Sequence, residues 1–413
     1  MKFNILTFGC KVNQYESNMM KEKMLSSSFL FEENLDKADI IIVNTCSVTN
    51  VADKKCLKTI RKIKREYPEK VLAITGCSSQ NKQEIYEKLD ADILIGNKDK
   101  SKIADYIKEF LQTEKHVIKF YNERNLEFED MMINNYNHVR AFIKIEDGCD
   151  NFCSYCIIPF VRGSVRSKKF AEVINEAKIL AEKNHKEIVL TGIHTGRYES
   201  DNHDLTDLIN ALSKIEKIKR IRISSIEITE LNDKFLNMLK ENPKVCDHLH
   251  IPLQAGSNEI LKRMNRKYDL EFYENKIKEI RNIRPDISIS TDIIVGFPYE
   301  TDELFAECLK FSEKMEFSKI HVFPYSLREG TAAAQMDHQV PAEIKKNRVR
   351  KLIELSNKLE KNYIDKFKGK SLDILVEECN NNISIGHTSN YIKMEVSENL
   401  EIGQIYSRIL WII

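Results

Sequence analysis

From residue 1 to about residue 125, short apolar runs alternate with longer amphipathic stretches, the pattern of a parallel sheet flanked by helices. The runs predict strands at Lys2 to Phe8, Asp39 to Val43, Lys70 to Thr75 and Ala91 to Ile95. A polar segment from Thr113 to His138, rich in Asn and Glu, reads as a linker, with the domain break at 126–138. The alternation then resumes, with strands expected at Ala141 to Glu146, Glu187 to Thr191, Arg220 to Ser224, Asp247 to Ile251, Ile287 to Val295 and Lys319 to Phe323. Six strand–helix units make a partial (β/α)6 barrel rather than a full eight-stranded one. Pro341 to Phe367 reads as a long charged helix, and short β runs follow at Leu372 to Glu377, Ile383 to His387, Tyr391 to Val396 and Gln404 to Trp411. The fold class is therefore α/β: a doubly wound parallel-sheet domain over 1–125, a partial barrel over 139–367 and a small all-β module over 368–413.

Composition narrows the classes of function. Charge is balanced, 64 basic against 63 acidic residues, so the overall field selects neither nucleic acid nor membrane, and any RNA contact must come from local patches. No stretch approaches the roughly 20 apolar residues of a spanning helix. The start MKFNILTFGC lacks the long apolar core of a signal peptide, so the expected location is cytoplasmic. In such a reducing compartment ten cysteines read as metal ligands and buried thiols, not as disulfides.

Six of the ten are placed for chemistry. Cys149, Cys153 and Cys156 lie within GCDNFCSYCIIPFVRG, directly after the first barrel strand, close enough to share one metal centre. Three thiolates leave one iron of a cube without a protein ligand, and an open position is where chemistry takes place. A zinc knuckle would want a fourth ligand nearby, and chance clustering of buried cysteines is the remaining alternative. Cys10, Cys46 and Cys77 each follow a predicted strand almost at once, and ligand sites in open parallel sheets sit at the carboxyl ends of strands. Cys56, Cys246, Cys308 and Cys379 read as packing. Further loops fall at barrel strand ends: TGIHTG at Thr191 to Gly196, SSIEIT at Ser224 to Thr229, IPLQAGS at Ile251 to Ser257 and GFPYET at Gly296 to Thr301. His194, His203, His250 and His321 also fall near strand ends and read as satisfied polar residues rather than ligands.

The cysteine spacing, with Tyr155 just before the last cysteine, is that of the radical S-adenosylmethionine superfamily. With GCKVNQYE, NTCSVTNVADKK, HLHIPLQAGS, KRMNRKY, DIIVGFP and VFPYS, the chain resembles radical S-adenosylmethionine methylthiotransferases over nearly its whole length. Within them it is most similar to the tRNA enzymes acting on carbon 2 of N6-threonylcarbamoyladenosine at position 37. The resemblance implies a barrel 4Fe-4S cluster on Cys149, Cys153 and Cys156, an auxiliary 4Fe-4S cluster on Cys10, Cys46 and Cys77, and a TRAM-like C-terminal module. It implies an S-adenosylmethionine pocket near Tyr155 lined by Thr191, Gly192, Ser225, Glu227, Gln254 and Gly296. It also implies a tRNA anticodon stem-loop as partner, an electron donor such as flavodoxin or ferredoxin, and a sulfur source. Other readings are an isopentenyl-adenosine tRNA substrate, a ribosomal-protein aspartate substrate, or a two-cluster electron carrier. Three positions depart from the family: Tyr299 for a glycine in GFPGET, Lys168 for arginine and Ser78 for an aromatic residue.

The C-terminal module is unexpectedly acidic for an RNA binder, with only Lys393 and Arg408 against Asp373, Glu377, Glu378, Glu395, Glu398 and Glu401. Basic density lies instead at Lys54, Lys55, Lys58, Arg61, Lys62, Lys64 and Arg65, and at Lys345, Lys346, Arg348, Arg350 and Lys351.

Overall fold

A computed structural model describes residues 1–47, 50–136 and 138–410, in two compact units. The first holds 1–136, 142–151 and 157–168; the second holds 137–141, 152–156 and 169–413.

The first unit is built on one sheet of β1 (Lys2–Thr7), β2 (Leu30–Phe31), β3 (Ile40–Thr45), β4 (Val71–Gly76), β5 (Ile93–Ile95) and β6 (Val117–Lys119). Its order is β2-β1-β3-β4-β5-β6, every pairing parallel. β3 (IIIVNT) and β4 (VLAITG) are buried along their whole length, as central strands covered on both faces must be. Ile41, Val43, Leu72, Ile74 and Leu94 meet Ile60, Ile63 and Tyr86 in one core. The chain winds from β1 outward to β2, then returns to β3 on the other side of β1. That reversal is a topological switch point, where the carboxyl ends of adjacent strands leave a crevice.

β2 and β6 are too short for a periodic signal, and β6 falls in the polar segment expected as a linker. That segment belongs to the first unit because named partners satisfy its polar groups. β6 pairs with β5, Glu129 accepts from Ser101 N at 2.5 Å, and Glu22 accepts from Asn134 N at 2.9 Å. Asn137 lies outside the described residues. β7 (Arg140–Lys144) carries the chain between the units, and β8 (Glu146–Asp147) pairs antiparallel with β9 (Arg166–Ser167) in the first.

The second unit continues the strand–helix series with β10 (Glu187–Thr191), the small hairpin β11 (Glu199–Ser200) and β12 (His203–Asp204), then β13 (Arg220–Ile223), β14 (His248–His250), β15 (Ser288–Val295) and β16 (Lys319–Pro324). β10 pairs parallel with β13, and β14, β15 and β16 form a parallel sheet in that order. Bonds from Cys246 N to Ile221 O at 2.9 Å and from Ile226 N to His250 O at 3.0 Å join β13 to β14. This is the expected partial barrel, with its strand ends within a few residues of the predicted ones.

Helix Ala342–Asp365 leads into β17 (Ser371–Asn380), β18 (Ile383–Thr388), β19 (Lys393–Val396) and β20 (Ile405–Ile409), an antiparallel sheet of order β19-β18-β17-β20. The last expected strand reached Trp411, which lies outside the described residues. Tyr363 from the helix and Phe367 just after it fill the module's core with Ile374, Ile392 and Met394. The module is tied to the amino-terminal ends of the barrel strands. Glu187, first in β10, is fully buried and accepts from Arg222 Nε at 2.6 Å; Arg222 also donates to the carbonyls of Ser389 and Thr388 at 3.1 and 3.2 Å. Tyr391 stacks on His248 and His387, with ring centroids 4.8 and 4.9 Å away. Burial would raise the Glu187 carboxyl, but Arg222 and then Arg220 hold it below the usual range.

Arg222→Ala removes the guanidinium that serves Glu187 and two carbonyls at once. It is expected to destabilise the protein by about 3–5 kcal/mol, because a buried carboxylate is left uncompensated. Limited proteolysis should then release the segment after Lys370 first, and a variant as resistant as the parent would refute the assignment.

Candidate functional site

The β1/β3 switch point places two expected ligand cysteines after neighbouring strands, and β4 carries the third at its own carboxyl end. Cys10 caps the 16-residue helix Lys11–Ser26, Cys46 follows β3 directly, and Cys77 follows Gly76 at the end of β4. Two glycines let these strand ends approach closely. A Cβ on Gly9, at φ +111°, would lie 2.6 Å from Cys46 Sγ; one on Gly76, at φ +114°, would lie 2.3 Å from the Thr45 carbonyl oxygen. Asn13 fixes the turn by donating to Phe8 O at 2.8 Å and Thr45 O at 2.9 Å. Val48 and Thr49 of NTCSVTN lie outside the described residues.

Behind the thiols lies a buried ionic network that the periodic pattern did not reveal. Arg162 donates Nε to Cys77 Sγ at 3.2 Å, Nη1 to Glu16 Oε1 and Asp147 Oδ1 at 2.9 Å each, and Nη2 to Asn13 Oδ1 at 3.0 Å. Glu16 also receives Lys100 and Lys144, and Asp147 receives Lys144 at 2.8 Å and Arg166 at 2.9 Å. Four cations thus share two carboxylates. Burial would push Glu16 and Asp147 up, and Arg162 with its neighbours holds both well below the usual carboxylate range. Burial pushes the Cys10 thiol up, and Arg162 opposes that shift. Positive charge that bonds the Cys77 sulfur and acts on the Cys10 thiol is what thiolate ligands need, so the residues fit an anionic metal centre.

Cys149 belongs to the first unit, where its N–H bonds Gly163 O at 3.0 Å. Cys153 and Cys156 belong to the second unit, with Cys156 N on Cys153 O at 2.9 Å. Arg266, nearly buried, repeats the theme: Nη1 donates to Cys153 Sγ at 3.2 Å, and Nη2 pairs with Glu227. A guanidinium beside a cysteine sulfur, anchored by a carboxylate, therefore occurs once in each unit. GCKVNQYE, FVRG and KRMNRKY contain Asn13, Glu16, Arg162 and Arg266, but nothing in their spacing assigns those partners.

Tyr155 is half-buried, and Thr191 and Gly192 end β10. Ser225 accepts from Thr195 through its carbonyl, next to the half-buried Glu227. Gln254, at φ +67°, bonds Asp292 O at 2.8 Å. Gly296, at φ +72°, faces Lys345 and donates its N–H to Glu300 at 2.9 Å. Glu300 is held in turn by Arg348 at 2.8 Å, so Arg348 is an internal anchor and not part of the basic surface expected from its neighbours.

The family departures have local reasons. Tyr299 sits at φ +68°, where glycine is favoured; the cost of about 1–2 kcal/mol is offset by Arg263, 3.9 Å from its ring centroid. Ser78 leaves room for Tyr86, whose hydroxyl donates to it at 2.8 Å. The Lys168 ammonium donates to Met131 O. Among the other cysteines, burial pushes Cys56 up to about 11 and Cys246 and Cys308 to about 12, so they pack as thiols, while Cys379 is half-buried. His194 pairs with Glu230, and His203 stacks on Phe170.

Comparison with known proteins agrees with this geometry. Residues 143–312 match the radical SAM superfamily model, and residues 2–96 match a family described as uncharacterized protein family UPF0004. The threonylcarbamoyladenosine tRNA methylthiotransferase MtaB of Bacillus subtilis is 39% identical over 399 residues, 94% of this chain and 88% of that one. MtaB of Aquifex aeolicus is 37% identical over 98% of this chain and 99% of its own. The tRNA-2-methylthio-N(6)-dimethylallyladenosine synthase of Acetivibrio thermocellus is 36% identical over 97% of this chain and 86% of its own. In fold, the chain is similar to the radical S-adenosylmethionine methyltransferase TsrM of Kitasatospora setae, with TM-score 0.57 and 11% identity over 78% of this chain and 74% of that one.

Proposed function

This chain belongs to the radical S-adenosylmethionine tRNA methylthiotransferases, and we propose that it adds a methylthio group to carbon 2 of N6-threonylcarbamoyladenosine at position 37 of tRNA. The observation that carries the reading is the 39% identity to a threonylcarbamoyladenosine enzyme along 94% of the chain. Enzymes of the family use S-adenosylmethionine and two 4Fe-4S clusters. In this chain Cys149, Cys153 and Cys156 would hold one cluster, and Cys10, Cys46 and Cys77 the other. Thr191, Gly192, Ser225, Glu227, Gln254 and Gly296 would line the S-adenosylmethionine pocket beside Tyr155.

Carbon 2 of adenine carries an unactivated hydrogen that no positioned carboxylate or imidazole removes at a useful rate. When bound, the clusters and S-adenosylmethionine supply the radical chemistry, the methyl group and a site for sulfur. The chain's own residues hold and shield these groups. Arg162 and Arg266 each direct an N–H at a cysteine sulfur, and the Glu16, Asp147 and Glu227 carboxylates fix those guanidiniums. An electron donor such as flavodoxin or ferredoxin and a separate sulfur source complete the system in the cytoplasm; among the described residues no helix is long and apolar enough to cross a membrane.

For tRNA the helix Asn50–Glu66 offers the surface. Lys54, Lys55, Lys58, Arg61, Lys62 and Arg65 are exposed on it, and among the described residues Lys54, Lys58 and Arg61 make no ion pair. In the C-terminal module Lys393 is paired with Glu395 at 3.2 Å and Arg408 with Glu398 at 2.6 Å. That module is tied to the amino-terminal ends of the barrel strands, while the cofactor loops lie at the carboxyl ends.

Turnover of paired anticodon stem-loops, one bearing threonylcarbamoyl and one dimethylallyl at position 37, tests the substrate, and exclusive use of the dimethylallyl substrate would sink the reading. Anaerobically reconstituted protein is expected to hold about eight irons, and the Cys149, Cys153 and Cys156 to Ala triple variant about half of them. Full iron in that variant would overturn the ligand sets. Changing Lys58, Arg61, Lys62 and Arg65 to Glu should weaken tRNA binding and flatten its salt slope more than removing Lys393 and Arg408. A larger loss from the latter pair in titrations at several salt concentrations would return the grip to the β module.

A further inference from the structure

His250 closes β14, Asp292 sits midway along β15 and His321 midway along β16. The parallel register pairs His250 with Ser290 and Asp292 with His321, and residues two apart on a strand share a face. His250, Ser290, Asp292, His321 and Phe323 therefore stand on one face of the sheet. The other face, with Ile289, Thr291 and Ile293, is fully buried, so the polar face is the open one. His250 Nε2 lies 3.3 Å from Asp292 Oδ1, the His250 and His321 ring centroids are 5.6 Å apart, and the polar atoms of all three residues fall within 4.8 Å of one another. Behind them Ser290 Oγ bridges His250 Nδ1 and His248 Nε2 at 3.0 Å each, which fixes the orientation of the His250 ring. In front, His321 is exposed and Phe323 is 37% exposed.

The group adjoins the candidate cofactor residues through the backbone. Ile226 N, flanked by Ser225 and Glu227, bonds His250 O at 3.0 Å, and Gln254 N bonds Asp292 O at 2.8 Å. Glu227 pairs with Arg266, which bonds Cys153. An open cluster of two imidazoles and a carboxylate thus stands next to the candidate cofactor residues, with an aromatic face beside it.

The relatives do not settle what this cluster meets, since those named for threonylcarbamoyladenosine and for dimethylallyladenosine are 39% and 36% identical to the chain. The two modifications differ sharply in chemistry. A threonylcarbamoyl group carries a carboxylate, a hydroxyl and a urea; a dimethylallyl group carries only carbon and hydrogen. Two imidazoles beside one carboxylate offer N–H donors and an acceptor side by side, the complement of a ligand group that carries both a carboxylate and N–H groups. Covered by a dimethylallyl group, the same three side chains would lose water and gain no partner, a desolvation penalty that rejects such an analogue by orders of magnitude.

We propose that His250, Asp292 and His321 form the subsite that reads the N6-threonylcarbamoyl group, with the exposed His321 imidazole donating to its carboxylate and Asp292, oriented by His250, accepting from its urea. This rests on the substrate reading above and adds the residues that would enforce it. His321 is a binding residue here and His250 a positioning one, and neither takes part in bond making.

The experiment uses reconstituted full-length holoenzyme, the variants His321→Gln, His321→Leu and His250→Gln, and three stem-loops carrying threonylcarbamoyl, the same group with its carboxyl amidated, or dimethylallyl at position 37. With the parent enzyme, amidation is expected to raise KM by about 10- to 100-fold, the loss of a charge-assisted contact, with kcat changed much less. In His321→Leu the acid and the amide should become nearly equivalent, while His321→Gln, which keeps a donor, should fall between. His321 is exposed, so iron content and thermal unfolding of its variants should match the parent, which separates a binding loss from misfolding. The inference is overturned if the parent turns over the threonylcarbamoyl stem-loop but does not distinguish acid from amide. It is equally overturned if the variants weaken S-adenosylmethionine binding without RNA by the same factor, or if the parent retains one zinc per chain that His250→Gln and His321→Gln lose. Parent turnover of the dimethylallyl stem-loop alone removes the substrate reading itself, and this inference with it.

Discussion

A buried guanidinium must be paired on every side, and the architecture of the first unit follows from pairing Arg162. Its donors reach the helix after β1 through Asn13 and Glu16, the end of β4 through Cys77, and the start of the cysteine-rich loop through Asp147. Each of those segments also meets a second cation or backbone group, so none can shift without stranding a charge where water does not reach. Removing one partner from such a network costs more than the network contributes in total, because the remaining charges stay buried. The network is thus better understood as fixing geometry than as adding stability. What it fixes is the carboxyl-end region of the sheet that carries Cys10, Cys46 and Cys77, which come from distant parts of the sequence.

The second unit solves a related problem with its two ends. At the amino-terminal ends of the strands, Glu187, Arg222 and the aromatic stack of His248, Tyr391 and His387 lock the C-terminal sheet onto the barrel. At the carboxyl ends lie the left-handed turns at Gln254 and Gly296 and the half-buried Ser225 and Glu227, with Glu227 paired to the Arg266 that bonds Cys153. Ion pairs serve both ends, Glu187 with Arg222 at one, and Glu227 with Arg266 and Glu300 with Arg348 at the other. Tyr299 illustrates the tolerance at that rim, since an unfavourable backbone angle persists there under a stacked arginine.

The basic runs divide between the interior and the surface. Arg348, read in sequence as part of a basic run, is spent inside the fold on Glu300 and Asp302, whereas the helix Asn50–Glu66 keeps its cations in water. A run of basic letters does not distinguish these cases. The distinction depends on which side of the helix faces a carboxylate contributed by another element.

The sequence by itself determined the elements and their order. Strands announced themselves because buried β residues such as Ile40 to Val43 cannot be polar, and the cysteine motifs announced themselves because sulfur ligands need close spacing or equivalent strand ends. It did not show β6, whose three residues hide in a polar segment held by specific hydrogen bonds, nor the partners of Arg162 and Arg266, nor the meeting of His250, Asp292 and His321. Those were decided only by tertiary structure. Periodicity reports which face of an element is buried, but a polar residue's role depends on what lies across from it, and strand order and register alone bring residues 42 and 29 positions apart onto one face.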